Sequence, residues 1–244
     1  MRQSQSGNVL IFILISIFLL GGLTVLLSRT GSQSEDTGNT EQAMIAATEI
    51  LRQTSNFKNT VQMMMGRGCS ESTFSFETPD LPRYANTDAP ADKSCHLFEP
   101  QGGGLNYKFV PNSYINSDYS SAPYYGYWVF LGRICIDNIG PTGGNNCKTS
   151  VQNPNELFVV LGFVREDICL ALNRLLGHPW STIPAEPNTP WPPAYADGLY
   201  STAYKYQPTP YTGMTALLSG KEAACFETTT VPGTYHFYQV LIPR

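Results

Sequence analysis

Charge is scarce in this chain: 14 % of its 244 residues are charged, against about 25 % in soluble domains. No two of its fifteen Lys and Arg residues stand side by side, and the formal net charge is −4. Binding to a phosphate backbone needs clustered cations, so nucleic acid is excluded as a partner. The motifs that carry chemistry at fixed spacing are also missing. There is no G-x-S-x-G, no H-E-x-x-H and no complete phosphate loop. Ser219-Gly220-Lys221 has the last letters of such a loop, but Glu222 follows and Thr215 stands where the first glycine should be. Only three histidines are present, His96, His178 and His236, and a triad could arise from them only by assembly in space. For oxygen-ligated metals the best cluster is Asp137-Asn138 beside Gly143, Gly144, Asn145 and Asn146. It lacks the calcium-loop pattern and reads as a plain turn. The expectation is a non-enzyme with no catalytic residue, no cofactor and no metal.

Tight cysteine pairs are missing as well. None of the six cysteines forms a C-x-x-C, so the paired presentation typical of zinc sites is excluded. An even number at wide spacing reads as three disulfides formed in an oxidising compartment. Fifteen connectivities are possible for six cysteines. The sequential set, Cys69 with Cys95, Cys135 with Cys147 and Cys169 with Cys225, would close one candidate structural unit per bridge.

What the chain does have is one long uncharged run. Residues 9–27, VLIFILISIFLLGGLTVLL, include fifteen Leu, Ile, Val or Phe. As a helix this run would rise close to ~30 Å, the thickness of a bilayer core. Its insertion would be favourable by on the order of 6 kcal/mol. It is too long for a cleavable secretory signal and lacks a small-x-small site. The expectation is therefore a transmembrane helix over 8–28, with the cysteine-bearing C-terminal part on the oxidising side.

After the run, residues 29–40 are polar and glycine-containing, and read as a linker between the span and a globular domain over 41–244. Thr40 is a plausible N-cap. From Ala43 the apolar positions Ala46, Ala47, Ile50, Leu51, Thr54, Phe57, Val61, Met64 and Met65 recur at three- and four-residue spacing up to Gly66, an amphipathic helix. Beyond Cys69 the period becomes two. Strands are expected at 72–77, 105–110, 127–136, 156–164 and 234–242, and the run through Trp128 to Leu131 suggests a central strand covered on both sides. A helix is expected over 165–176 and a short helix or turn over 215–224. Residues 178–212 hold eight prolines and read as an extended surface segment. The tyrosines and tryptophans from Tyr119 to Trp128 and from Trp180 to Tyr211 either pin these loops down or form a binding surface.

The layout of a short polar leader, MRQSQSG, a glycine, an apolar helix and then an amphipathic helix resembles the type IV pilins and pseudopilins. The resemblance covers about the first 65 residues. It implies cleavage by a prepilin peptidase after Gly7, leaving Asn8 as the mature terminus. It implies an α+β fold in which an N-terminal transmembrane helix and an amphipathic helix precede an antiparallel sheet with long disulfide-stapled loops. Cys169 with Cys225 would match the cysteine-bounded C-terminal region of pilin heads. Gly21-Gly22 would be where the helix loosens on leaving the bilayer. Phe12 stands where the family usually carries Glu, and Asn8 where it carries Phe or Met, which points to a divergent or minor subunit. The implied function is structural: a single-pass protein of the bacterial inner membrane, its C-terminal domain periplasmic or extracellular after assembly. Its partners would be the membrane, other pilin-like subunits and the assembly machinery. The alternative is a membrane-tethered binding protein or adhesin that does not polymerise, using the 178–212 segment.

Overall fold

The computed structural model describes residues 7–134, 136–140, 156–186, 217–229 and 231–243. The chain divides into two compact units, Met1–Gln42 and Ala43–Arg244. One helix, α1 (Gly7–Gly66), takes up the described residues of the first unit and continues into the second.

In the first unit, residues 29–40 are helical, which corrects their reading as a linker and Thr40 as an N-cap. A helical glycine costs only ~1 kcal/mol relative to alanine. A break here would add a second costly nucleation between two helix-forming stretches. For the same reason the helix passes unbroken through Gly21 and Gly22. The transmembrane expectation is also corrected. Among the described residues no helix is long and apolar enough to cross a membrane. With that expectation go the single-pass placement in the inner membrane and the transmembrane part of the expected fold.

The second unit is α+β. Its helical portion of α1 buries the stripe read from the sequence: Ala43, Ala46, Ala47, Ile50, Thr54, Phe57, Val61 and Met64 are all buried, while Met65 is exposed. The sheet contains β1 (Trp128–Ile134), β2 (Glu156–Val164), β3 (Ala185–Glu186), β4 (Ala223–Thr228) and β5 (Thr234–Ile242) in the order β1-β2-β5-β4-β3. All neighbours are antiparallel except β3 with β4. Side chains alternate between the two faces. Trp128, Phe130, Val159, Leu161 and Phe237 meet α1 and α2 (Glu166–Leu175). Val129, Phe158, Val160, Phe226 and Tyr238 meet Ile136, Ile139 and Leu218 on the other face. Both faces are covered, so β2 is apolar at nearly every position rather than at every second one.

Three strand expectations change. Residues 72–77 and 105–110 form no strand, and the first of these contributes only an isolated bridge between Ser75 and His96. The segment expected as a helix or turn over 215–224 is a turn at 217–220, and then, unexpectedly, enters β4 at Ala223. And β1 lies at the outer end of the strand order rather than at its centre. A continuous apolar run reports that both faces are covered, not that both edges are paired. The free edge of β1 is closed by side chains. Tyr107 Oη accepts from the Trp128 N–H and Tyr84 Oη from the Phe130 N–H, both at 3.0 Å. Tyr84→Phe should leave the buried Phe130 N–H without an acceptor and lower stability by ~1–3 kcal/mol in urea denaturation.

Two disulfides staple this unit. Cys69–Cys95 ties the end of α1 to the following loop, and Cys169–Cys225 ties α2 to β4. The expected bridge between Cys135 and Cys147 lies outside the described residues. Asn173 of α2 supports the second staple: its Nδ2 donates to the Cys225 carbonyl and its Oδ1 accepts from the Cys225 N–H, both at 2.8 Å. The helix stops at Gly177, whose φ of 73° is left-handed and suits glycine.

Candidate functional site

The three histidines weighed for chemistry lie apart from one another in the fold. His96 is buried beside the Cys69–Cys95 staple, and burial lowers its pKa. The Nε2–H of His178 donates to the Ala223 carbonyl at 2.8 Å, and its ring lies against Trp180. His236 is enclosed in β5, where its Nδ1 accepts from the Phe163 N–H at 3.4 Å and burial holds its pKa down at about 3. Each histidine thus stands in a different part of the fold. Among the described residues no group of three or more His, Cys, Asp or Glu is placed to hold a metal ion.

Two of the sequence candidates meet each other. The Gly220 N–H donates to the Asp137 carbonyl at 2.8 Å, and Asn138 Nδ2 donates to Ser219 Oγ at 2.6 Å. The donors that a phosphate loop would offer a ligand are therefore spent on joining two turns. Residues 143–146 of the oxygen-rich cluster lie outside the described residues. So do residues 1–6 of the expected leader, while Gly7 opens α1.

The aromatic residues divide in the same way. Tyr119 stacks on Phe163 at 5.1 Å, and Tyr125 and Tyr127 pack against the core. Trp128 is fully buried. These side chains pin loops to the sheet. Trp191, Tyr195, Tyr200, Tyr204, Tyr206 and Tyr211 lie outside the described residues, as does most of the 178–212 segment.

Two surfaces have no such internal use. The first is α1 over residues 11–20. Nine large apolar side chains there are exposed, from Leu14 and Ile15 at 51 % to Phe18 at 81 %. They point in every direction around the helix, as a hundred-degree advance per residue requires. The second lies wholly within the Ala43–Arg244 unit. It is a groove of about 600 Å³ between α1 residues 44–53 and residues 108–114, with Trp128 contributing to its lining. Its lining includes Met44, Ile45, Phe109, Pro111 and Tyr114. Ile45 is 67 % and Phe109 47 % exposed.

No protein-family model, curated protein or solved structure matches this chain.

Charge in the groove is compensated. The Arg52 guanidinium, hydrogen-bonded to Glu49 and assisted by Lys108, lowers the Glu49 carboxyl pKa. Trp128 Nε1 is buried without an acceptor among the described residues. The groove escaped the sequence reading, although one signal was visible: Ile45 is a large apolar residue lying off the buried stripe of its helix. Its other wall, residues 108–114, had no signal, because nothing in the local sequence says which helix face that segment lies beside.

Proposed function

We propose that this chain is a structural, pilin-like subunit that assembles with other copies into a filament, divergent from the major pilins and without enzymatic activity. The observation that carries this reading is the set of nine exposed apolar side chains over residues 11–20 of α1. Contiguous apolar surface beyond a few hundred Å² marks an interaction site. One sheet edge supports the same mode of assembly: the Tyr84 and Tyr107 hydroxyls accept from the Phe130 and Trp128 N–H groups of β1, which discourages pairing with another chain's strand there. The partners are then further pilin-like subunits and assembly machinery, with a prepilin peptidase acting between Gly7 and Asn8.

Shearing cells and sedimenting the released polymer tests this. The chain should appear in the sedimented fraction, and intact mass measurement should show a protein starting at Asn8. A chain found only as a dispersed monomer would refute the filament reading. An intact leader on assembled protein would refute the processing step alone.

A further inference from the structure

Trp128 of β1 contributes to the lining of the groove and is itself fully buried. Its backbone N–H donates to Tyr107 Oη, but its indole Nε1–H has no acceptor among the described residues. A buried donor left without an acceptor is costly, and native folds keep few of them. Packing does not explain it. The indole meets Phe57 edge-on, a contact that a phenylalanine would serve without the stray donor.

The rest of the lining limits what could supply the acceptor. A volume of about 600 Å³ falls within the ~300–1,000 Å³ of small-molecule sites, which combine apolar walls with a few polar groups. Met44, Ile45, Phe109 and Pro111 form apolar wall. The exposed ring of Phe109, held edge-on by Tyr107 and Tyr127, offers a flat face for another ring. Glu49 is already paired to Arg52, so a charged ligand would find no unpaired counter-ion in that carboxylate.

We infer that the groove between residues 44–53 and 108–114 binds an uncharged, largely apolar small molecule whose carbonyl oxygen accepts from Trp128 Nε1. Nε1 is closed off from solvent, so the oxygen enters past a side chain of the lining. Met44, unbranched and only partly buried, is suited to yield. Exclusion of water then strengthens the hydrogen bond. The site stands independently of the filament reading.

Equilibrium dialysis of the full-length chain against two probes of one shape tests this. Methyl naphthyl ketone carries the carbonyl, and ethylnaphthalene does not. Both should bind the parent saturably. Trp128→Phe keeps a ring and removes the donor. It should lower the affinity for the ketone, relative to ethylnaphthalene, by about tenfold. Taking the ratio of the two probes within each protein cancels changes in the shape or stability of the groove. Ile45→Glu with Phe109→Glu, both at exposed positions, should weaken both probes by about tenfold and leave the helical circular dichroism unchanged. Phe12→Glu, on the other apolar surface, should change neither affinity.

A parent that binds neither probe saturably would overturn the inference, as would an Ile45 and Phe109 double variant that binds like the parent. An affinity ratio unaltered by Trp128→Phe would overturn it too, and leave the groove to a wholly apolar occupant. Should Trp128→Phe fail to fold, the parent gives the same reading by nuclear magnetic resonance. An indole N–H proton should move downfield with the ketone and not with ethylnaphthalene, and equal behaviour with both would refute the hydrogen bond.

Discussion

Phe57→Ala should cost ~3–5 kcal/mol of unfolding free energy and lower the melting temperature by on the order of 10 °C. Phe57 lies on the buried stripe of α1 with 2 % of its surface exposed. Its ring makes edge-on contacts with Trp128 and Phe130 of β1, each at 5.6 Å, and with Phe98 at 6.0 Å. Phe130 in turn stacks on Phe76 at 4.3 Å and meets Tyr84 edge-on. Truncation at Phe57 removes the helix's contribution to this aromatic group and leaves a cavity that rigid rings on three sides cannot collapse into. Each lost pair adds ~0.5–1.5 kcal/mol to the area term. The neighbouring Asn56→Ala, on the exposed side of the same turn, should stay within about 0.5 kcal/mol of the parent. Equilibrium urea denaturation of the two variants side by side checks the contrast. An effect at Phe57 no larger than at Asn56 would contradict this account of the core.

Glu156→Gln should abolish a large loss of stability at alkaline pH. Glu156 opens β2 and is 1 % exposed. Burial pushes its carboxyl up to about 8, opposed by hydrogen bonds from its own N–H and from the Ile136 N–H (3.1 Å), while Asp137 adds to the rise. In the unfolded chain the group has its ordinary value of 4.5. Between these values the folded state holds a proton that the unfolded state has released. Stability from this group is therefore complete below about pH 4.5, falls as pH rises, and levels off above about pH 8. At about 1.4 kcal/mol per pH unit, the full loss is roughly 3–5 kcal/mol. His236 acts in the opposite sense. Its pKa is lowered from 6.5 to about 3, so stability from it rises with pH across that interval and is complete above 6.5. The two slopes offset one another between pH 4.5 and 6.5, and the decline due to Glu156 stands alone from 6.5 to 8. Denaturation curves at pH 6, 7, 8 and 9 should show a falling parent and a flat Glu156→Gln variant. The glutamine keeps a carbonyl oxygen for the Ile136 N–H and carries no charge to bury. Parallel curves for the two proteins would place the alkaline instability elsewhere.

Much of the local structure was legible because local rules suffice for it. The bounds of β2 and β5 follow from apolar runs flanked by turn residues. The body of α2 follows from its apolar spacing and from Gly177 behind it. The buried stripe from Ala43 to Met64 follows from the helical period. Where the reading failed, a longer-range contact had decided. AACFET is a weak strand former by composition, yet it becomes β4 because β5 offers it six consecutive partners. Residues 72–77 and 105–110 have good strand composition and form none. The partner that β1 would have offered on its outer edge is taken by the hydroxyls of Tyr84 and Tyr107 instead. The expected bilayer-spanning segment was a judgement from composition over 8–28, and the described residues do not bear it out.

By itself the sequence determined an α+β chain with few and scattered charges, an apolar stretch near its start and cysteines spaced for staples. These follow from charge count, periodicity and spacing, which act over one or two turns of chain. Only the tertiary structure decided that β1 is an edge, that Asn173 clamps Cys225, and that Glu156 is carried into the interior. It also decided that residues 108–114 lie beside α1 and leave a groove. Each of these depends on which distant segments meet, and no local period encodes that.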